Sequence, residues 1–363
     1  MTQSLPVWFK GVMALIGLTL LFFILKMGEP IIVPLIFAGL LAMLLEPLCN
    51  WLESKKIPRP FAILLSMLVV LLLLAGIISL ITMQFVQFSE QIPEMRLRLN
   101  QLADELLSAA HQLIPLAPEQ QMQYLERGVD TLIKQSGALA TTFISATTDL
   151  ISFVGLMPIY VFFLMYYRGQ YKRFLMKLVG RRGQSSVENI LNDIQGVVRK
   201  YILGMLTVIT ILAALNTTGL VLLGIDHAVF FGVFAGFMAL IPFIGIIIGS
   251  IPPILFALLM TNSLLYPLGV ITVFAIVQFL EGNFITPKVM SSQVSINPLI
   301  AIIALLVGSQ LWGIEGMILS VPLVGILKTT FDHIDELKPF GFLLGNQIEE
   351  PPIEQMDGSS DNR

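Results

Sequence analysis

Four polar side chains stand where their neighbours offer no water. Gln278-Phe-Leu-Glu281-Gly-Asn283 sets three of them within six positions, across the end of Ala228–Leu280, a run of 53 residues without a charge. Glu281 lies three residues past Gln278, so a helix puts both on one face. Asn283 falls on another face unless Gly282 unwinds the chain. A carboxylate at mid-bilayer costs about 2.5–3.5 kcal/mol on insertion scales, so one retained there is either paired or used. The chemistry within reach is proton uptake and release, or cation coordination, by Glu281, with Asn283 binding solute or ion. The plainer alternative pairs Glu281 with Lys288 at the water interface. Glu315, between two apolar runs and flanked by Gly313 and Gly316, reads equally as an exposed turn or a gating carboxylate. Asp226-His227 reads as a solvated turn, and Asn216 is expected to bond to a neighbouring helix.

Other chemistries fail on pattern. No G-x-x-x-x-G-K-[ST] occurs, so no P-loop energises the chain with ATP. H-E-x-x-H is absent, and His111, His227 and His333 are too scattered for a zinc site. Ser309 lacks the G-x-S-x-G context of a serine nucleophile. The single cysteine, Cys49, excludes an intrachain disulfide and reads as an inert apolar thiol. The expectation is a non-enzyme without cofactor or metal.

The elements that must hold these groups are membrane helices. Only 12% of the 363 residues are charged and 56% are hydrophobic, whereas soluble domains carry about 25% charge. A mean hydropathy of +0.85 excludes a soluble enzyme and a disordered regulator. The net charge of −3 gives no footing to a nucleic-acid binder. Uncharged runs at Gly11–Leu25, Pro30–Leu45, Pro60–Ser89, Leu150–Tyr167, Tyr201–Ile225, Ala228–Leu280, Val289–Ile314 and Gly316–Leu327 supply the spans. Backbone amides in hydrocarbon must be bonded internally, so these runs are helices. The fold class is an all-α integral membrane protein of seven or eight transmembrane helices, with Gly/Pro-broken or re-entrant helices in the C-terminal half.

Charge asymmetry orients the chain. The loops at 51–59 and 168–200 hold 11 of the 21 basic residues and lie two crossings apart, which places both, and the N-terminus, in the cytoplasm. The organisation reads as three transmembrane helices over 1–88, an extracytoplasmic helical hairpin over 89–149 broken at Pro115 and Pro118, and a fourth span over 150–167. A basic cytoplasmic loop over 168–200 follows, then a transmembrane core over 201–330 and an acidic tail over 331–363, disordered at its end. Ser185 to Glu188 reads as a capping box whose helix runs through Arg199-Lys200 into the next span.

The core is where the helices break. Ala228–Met260 contains Pro242, Pro252 and Pro253 and the pairs Gly232/Gly236 and Gly245/Gly249, whose G-x-x-x-G spacing admits close helix approach. The Ile241-Pro-Phe-Ile-Gly245 stretch reads as a break at membrane depth. Ile296–Lys328 opens with Asn297-Pro298 and is interrupted at Gly313–Gly316. Each segment crosses once as a broken helix or folds back as a hairpin, and eight crossings follow in the first case. Two interrupted apolar segments in one half point to a transporter's binding site. A scaffold protein working through its extracytoplasmic hairpin is the reading of another class.

Leu240-Ile-Pro242-Phe-Ile-Gly245, Ile251-Pro252-Pro253, Gln278-Phe-Leu-Glu281-Gly-Asn283-Phe-Ile-Thr-Pro287, Val294-x-x-Asn297-Pro298-Leu and Gly313-x-x-Gly316-Met-Ile-Leu-Ser-Val-Pro322-Leu follow one another in order. Together with Leu337–Gly345 they make the chain resemble the autoinducer-2 exporter family over about residues 5–345. The resemblance implies an all-helical transporter of the cytoplasmic membrane, in contact with lipid and assembled as a homo-oligomer. Members are linked to export of autoinducer-2, a small polar furanone, or to exchange of sodium or lithium for protons. By position, Pro242, Gly245, Glu281, Asn283, Pro287, Asn297 and Pro298 carry the family pattern.

Overall fold

The computed structural model describes residues 6–91, 93–95, 97–98, 101, 155–179, 184–242, 244–261, 263–290 and 296–346. Most of the expected hairpin at 89–149, with His111, Pro115 and Pro118, lies outside the described residues, as does the tail beyond 346. Among the described residues the regular structure is helical, and one isolated bridge joins Ile296 to Gly345.

The helices are α1 (Val7–Met27), α2 (Glu29–Ser54), α3 (Arg59–Ser89), α4 (Gly155–Tyr166), α5 (Arg168–Val179) and α6 (Gln184–Leu222). They continue as α7 (Ala228–Met238), α8 (Gly245–Met260), α9 (Leu265–Leu280), a π-helical turn (Glu281–Ile285) and α10 (Thr286–Met290). Last come α11 (Pro298–Asp332), a 3₁₀ turn (Asp335–Leu337) and α12 (Lys338–Leu344). Among the described residues, six segments are long and apolar enough to cross a membrane: 8–27, 29–54, 59–88, 187–222, 265–290 and 298–332. α6 does run unbroken from the charged loop into the span, as its pattern predicts. Ser185 lies within the described helix, and Glu188 is engaged by Lys172 of α5.

α11 is not one rod. Ser320 Oγ donates to the Ala304 carbonyl at 2.8 Å; in a straight helix residues 16 apart would be separated by about 24 Å. The chain reverses at Trp312 (φ −134°, ψ 24°) and Gly313 (φ 60°, ψ −133°). Gly313 is needed there, because side chains disfavour that left-handed backbone. The two arms then pack so closely that a methyl group on Gly316 would strike the Gly308 carbonyl. Ala304 with Ser320 and Gly308 with Gly316 are both symmetric about Trp312. Asn297 caps the first arm, its Oδ1 accepting from Leu299 N at 2.9 Å, and Pro298 occupies the first turn.

α7 and α8 form a second reversal. A methyl group on Gly245 would strike the Met238 carbonyl, and Gly249 abuts Ala235. These pairs are centred on Ile241-Pro242, and the helix is broken at 239–242 and 244. The other glycine pair serves another neighbour: Gly232 sits against Thr217 and Gly236 against Ala213 of α6. Both long segments are therefore hairpins, the second of the two alternatives left open by the sequence, beside the through-spanning helices.

Candidate functional site

α6 is the post against which depth is read. α7 runs antiparallel to it through Gly232–Thr217 and Gly236–Ala213. α9 and its continuation do the same through Gly269–Leu223, Gly219–Val273 and Gly204–Met290. Extending these registers, Pro242 comes level with Thr207 and Glu281 with Ile211, about 6 Å apart along the axis. Both lie near the middle of the uncharged stretch Tyr201–Ile225. Val208, Leu212 and Val277 form one buried cluster there, flanked by Ala239 from the hairpin tip and by Ile285 and Val289 from the π turn and α10.

Glu281 opens the π turn, and that widened turn is how Gly282 unwinds the helix. Its half-buried carboxylate lies within hydrogen-bonding reach of the Gln278 and Thr286 side chains. Asn283 is exposed and donates its Nδ2 to the Phe279 carbonyl at 2.8 Å. Pro287 stands exposed in α10. Among the described residues no carboxylate lies within 4.0 Å of Lys288, so the alternative Glu281–Lys288 pair is not formed.

Glu315 is elsewhere. It is exposed at the tip of the α11 hairpin, beside Trp312, whose Nε1 donates to the Leu25 carbonyl at 3.0 Å. Leu25 is at the far end of α1, so the tip reaches the face opposite the N-terminus. The four sequence candidates thus divide into Gln278, Glu281 and Asn283 at mid-depth and Glu315 at one face. Gly313 and Gly316 shape the α11 hairpin; Pro242 and Gly245 shape the α7–α8 hairpin; Asn297 and Pro298 begin α11, where Asn297 N also bonds the Leu344 carbonyl at 2.9 Å.

The two hairpins open toward opposite faces. The α7–α8 base is held by Phe88, at the end of α3 remote from Arg59, through Phe230, Phe231 and Phe256 at centroid distances of 5.5–6.1 Å. The α11 base meets the charged half of α6, where His333 Nε2 lies 3.1 Å from Asp193. On that same basic face Glu46 and Glu53 of α2 bind Arg168 at 3.2 and 3.1 Å, and Gln195 donates to Glu46 at 2.5 Å. In the sequence Glu46 only bounds the uncharged run Pro30–Leu45, and Arg168 only opens the basic loop. The available signal was the seven-residue spacing of Glu46 and Glu53, which puts both on one helix face.

One expectation changes with packing. His227 is not a solvated turn residue: its ring stands edge-on to Phe88 and Phe256, and its Nε2 is buried without a partner among the described residues. Asn216 is buried at 4% exposure, and among the described residues its Oδ1 meets no donor. Cys49 is buried as expected, 3.5 Å from Glu53.

Oppositely opening helical hairpins beside a mid-depth carboxylate define a polytopic membrane transport protein. The family model described as AI-2E family transporter matches residues 12–336, and the chain belongs to this family. YrrI of Bacillus subtilis, provisionally named a transport protein, is 28% identical over 319 residues, covering 84% of this chain and 87% of YrrI. YhhT of Escherichia coli, similarly named, is 24% identical over 317 residues, 87% and 88% of the two chains. The AI-2 transport protein TqsA of Escherichia coli is 23% identical over 322 residues, 85% and 88% of the two chains.

Proposed function

We propose that this transporter exports a small polar solute across the cytoplasmic membrane, its basic face cytoplasmic, with Glu281 as the coupling carboxylate. The observation that carries the reading is the depth match: Glu281, on a π turn, and the Pro242 tip of the α7–α8 hairpin share the middle of the α6 span. Helix breaks at that depth are where transporters expose backbone polar groups to solute. Gln278 and Thr286 complete a polar group against otherwise apolar helices, able to bind hydroxyl or carbonyl oxygens while Glu281 carries a proton or a cation. The name of TqsA makes autoinducer-2 the first solute to test. Exchange of sodium or lithium for protons would use the same carboxylate.

The test is flux in proteoliposomes holding purified protein, offered the furanone, sodium and lithium separately, with and without a pH gradient. One of the three moves, and Glu281→Gln abolishes its dependence on the gradient. Transport by Glu281→Gln equal to wild type in every assay would remove the coupling role. Absence of any flux by wild type would return the reading to a membrane scaffold.

A further inference from the structure

His333 ends the α11 hairpin with both ring nitrogens engaged. Nδ1 lies 2.8 Å from the Thr329 carbonyl and Nε2 lies 3.1 Å from the Asp193 carboxylate on α6. A carbonyl oxygen only accepts, so Nδ1 carries a hydrogen. An ionised carboxylate also only accepts, so Nε2 carries one as well. An imidazole that donates from both nitrogens is an imidazolium. In the neutral ring one of the two nitrogens must turn a lone pair toward an oxygen, and a bond is lost.

The surroundings let this proton come and go. The pair borders an open cleft of about 360 Å³ between α6 and the end of α11, lined also by Asn192, Lys200 and Asp332. The charged groups facing it are Asp193 and Lys200 from α6, and Lys328 and Asp332 from α11, which bind each other at 2.6 Å. In the turn that follows, Asp335 and Lys338 likewise hold each other at 2.6 Å. Asp332 is occupied by Lys328, and Asp193 is the carboxylate left to meet His333.

We propose that His333 and Asp193 form a proton-operated latch, closed by a charged His333, that holds the base of the α11 hairpin against α6. The latch is fastened while His333 carries both ring protons and loosens when one is lost. The rest of the hairpin is fixed separately, by Trp312 at Leu25 and by Leu319, Leu323 and Ile326, which share an apolar cluster with Ile194, Val198 and Ile202 of α6, so release frees the last turn of α11 and the segment after it. The latch does not depend on which solute is carried, and its test reads position, not flux.

Spin labels at Asn189→Cys on α6 and Glu336→Cys beyond His333, in full-length protein with Cys49→Ala in lipid nanodiscs, report the separation by pulsed electron resonance. Between about pH 6 and about pH 8.5 a longer-distance population grows, and the latched-to-open ratio falls about tenfold, the scale of one partly exposed charge-assisted hydrogen bond. His333→Gln gives one distribution at both pH values. His333→Lys, which keeps the charge, stays latched at both. Coincident wild-type distributions at the two pH values, or a wild-type response surviving in His333→Gln, would overturn the latch.

Discussion

The two hairpins solve one problem with different materials. Each reverses a helix inside an apolar segment, α7–α8 about Pro242 and α11 about Trp312-Gly313. The α7–α8 hairpin has short arms, and its base is an aromatic cluster of Phe88, Phe230, Phe231 and Phe256. Its glycines at 232 and 236 press it against α6, while 245 and 249 press its arms together. The α11 hairpin is longer and glued by small and polar contacts: Gly308 on Gly316, Ser320 to Ala304 and Gly316 carbonyls, Trp312 to Leu25. Apolar burial drives little between helices in lipid; close packing and hydrogen bonds do. The first hairpin is thus clamped along its length to a long helix. The second packs on α2 and α6 through Leu319, Leu323 and Ile326, in one cluster with Val33, Leu40 and Val198, and single polar contacts mark its two ends.

The sharpest way to break this comparison is inside the second hairpin. Gly316→Val puts side-chain carbons into the Gly308 backbone, which has nowhere to retreat without separating the arms. The cost should be about 3 kcal/mol, the upper end for overpacking. It should appear as a large fall in melting temperature in detergent and in yield of monodisperse protein. A variant that melts with wild type would mean the arms are not closely packed.

The same comparison predicts a smaller loss in the first hairpin from a larger deletion. Phe231 is fully buried among Phe88, Phe230 and Phe256. Phe231→Ala empties roughly 100 Å³, or about 2 kcal/mol at the usual cavity cost. The transfer part of a soluble-protein Phe→Ala change is reduced because the unfolded reference is already in lipid. Thermal melting checks it, and a loss exceeding that of Gly316→Val would reverse the ranking of the two hairpins.

How much of this was legible before the structure depends on the range of the signal. Missing charge marks the spans because a charge in hydrocarbon is costly at any position, so the helices follow residue by residue. The breaks at Pro242 and Gly313 are local too, and the G-x-x-x-G pairs foretold close approach. Whether Ile296–Lys328 crossed or turned back was open, because both forms bury the same apolar residues. The deciding clue, small residues 308 and 316 placed symmetrically about Trp312-Gly313, has meaning only once a turn is assumed. Glu281 and Glu315 looked alike for the same reason: local sequence shows an acid among apolar neighbours but not its depth. The buried setting of His227 and the meeting of His333 with Asp193 depend on distant helices, and no periodicity within either segment encodes them.

The finest cut separates the tip of the second hairpin from its base. Trp312→Phe keeps most of the ring and removes the Nε1–H that binds the Leu25 carbonyl. Leu25 lies in the last turn of α1, where carbonyls lack intrahelical donors, so the lost bond is not replaced from within the helix. One neutral hydrogen bond is worth about 1 kcal/mol, and the change in melting should be correspondingly small. Its effect on motion should be larger than its effect on stability, because the tip and the His333 base are the hairpin's two polar anchors. With the tip loosened, the spin-label distance between positions 189 and 336 should broaden even at acid pH, where the base is fastened. If Trp312→Phe leaves that distribution as narrow as wild type, the base alone positions the hairpin, and the tip contact only caps α1.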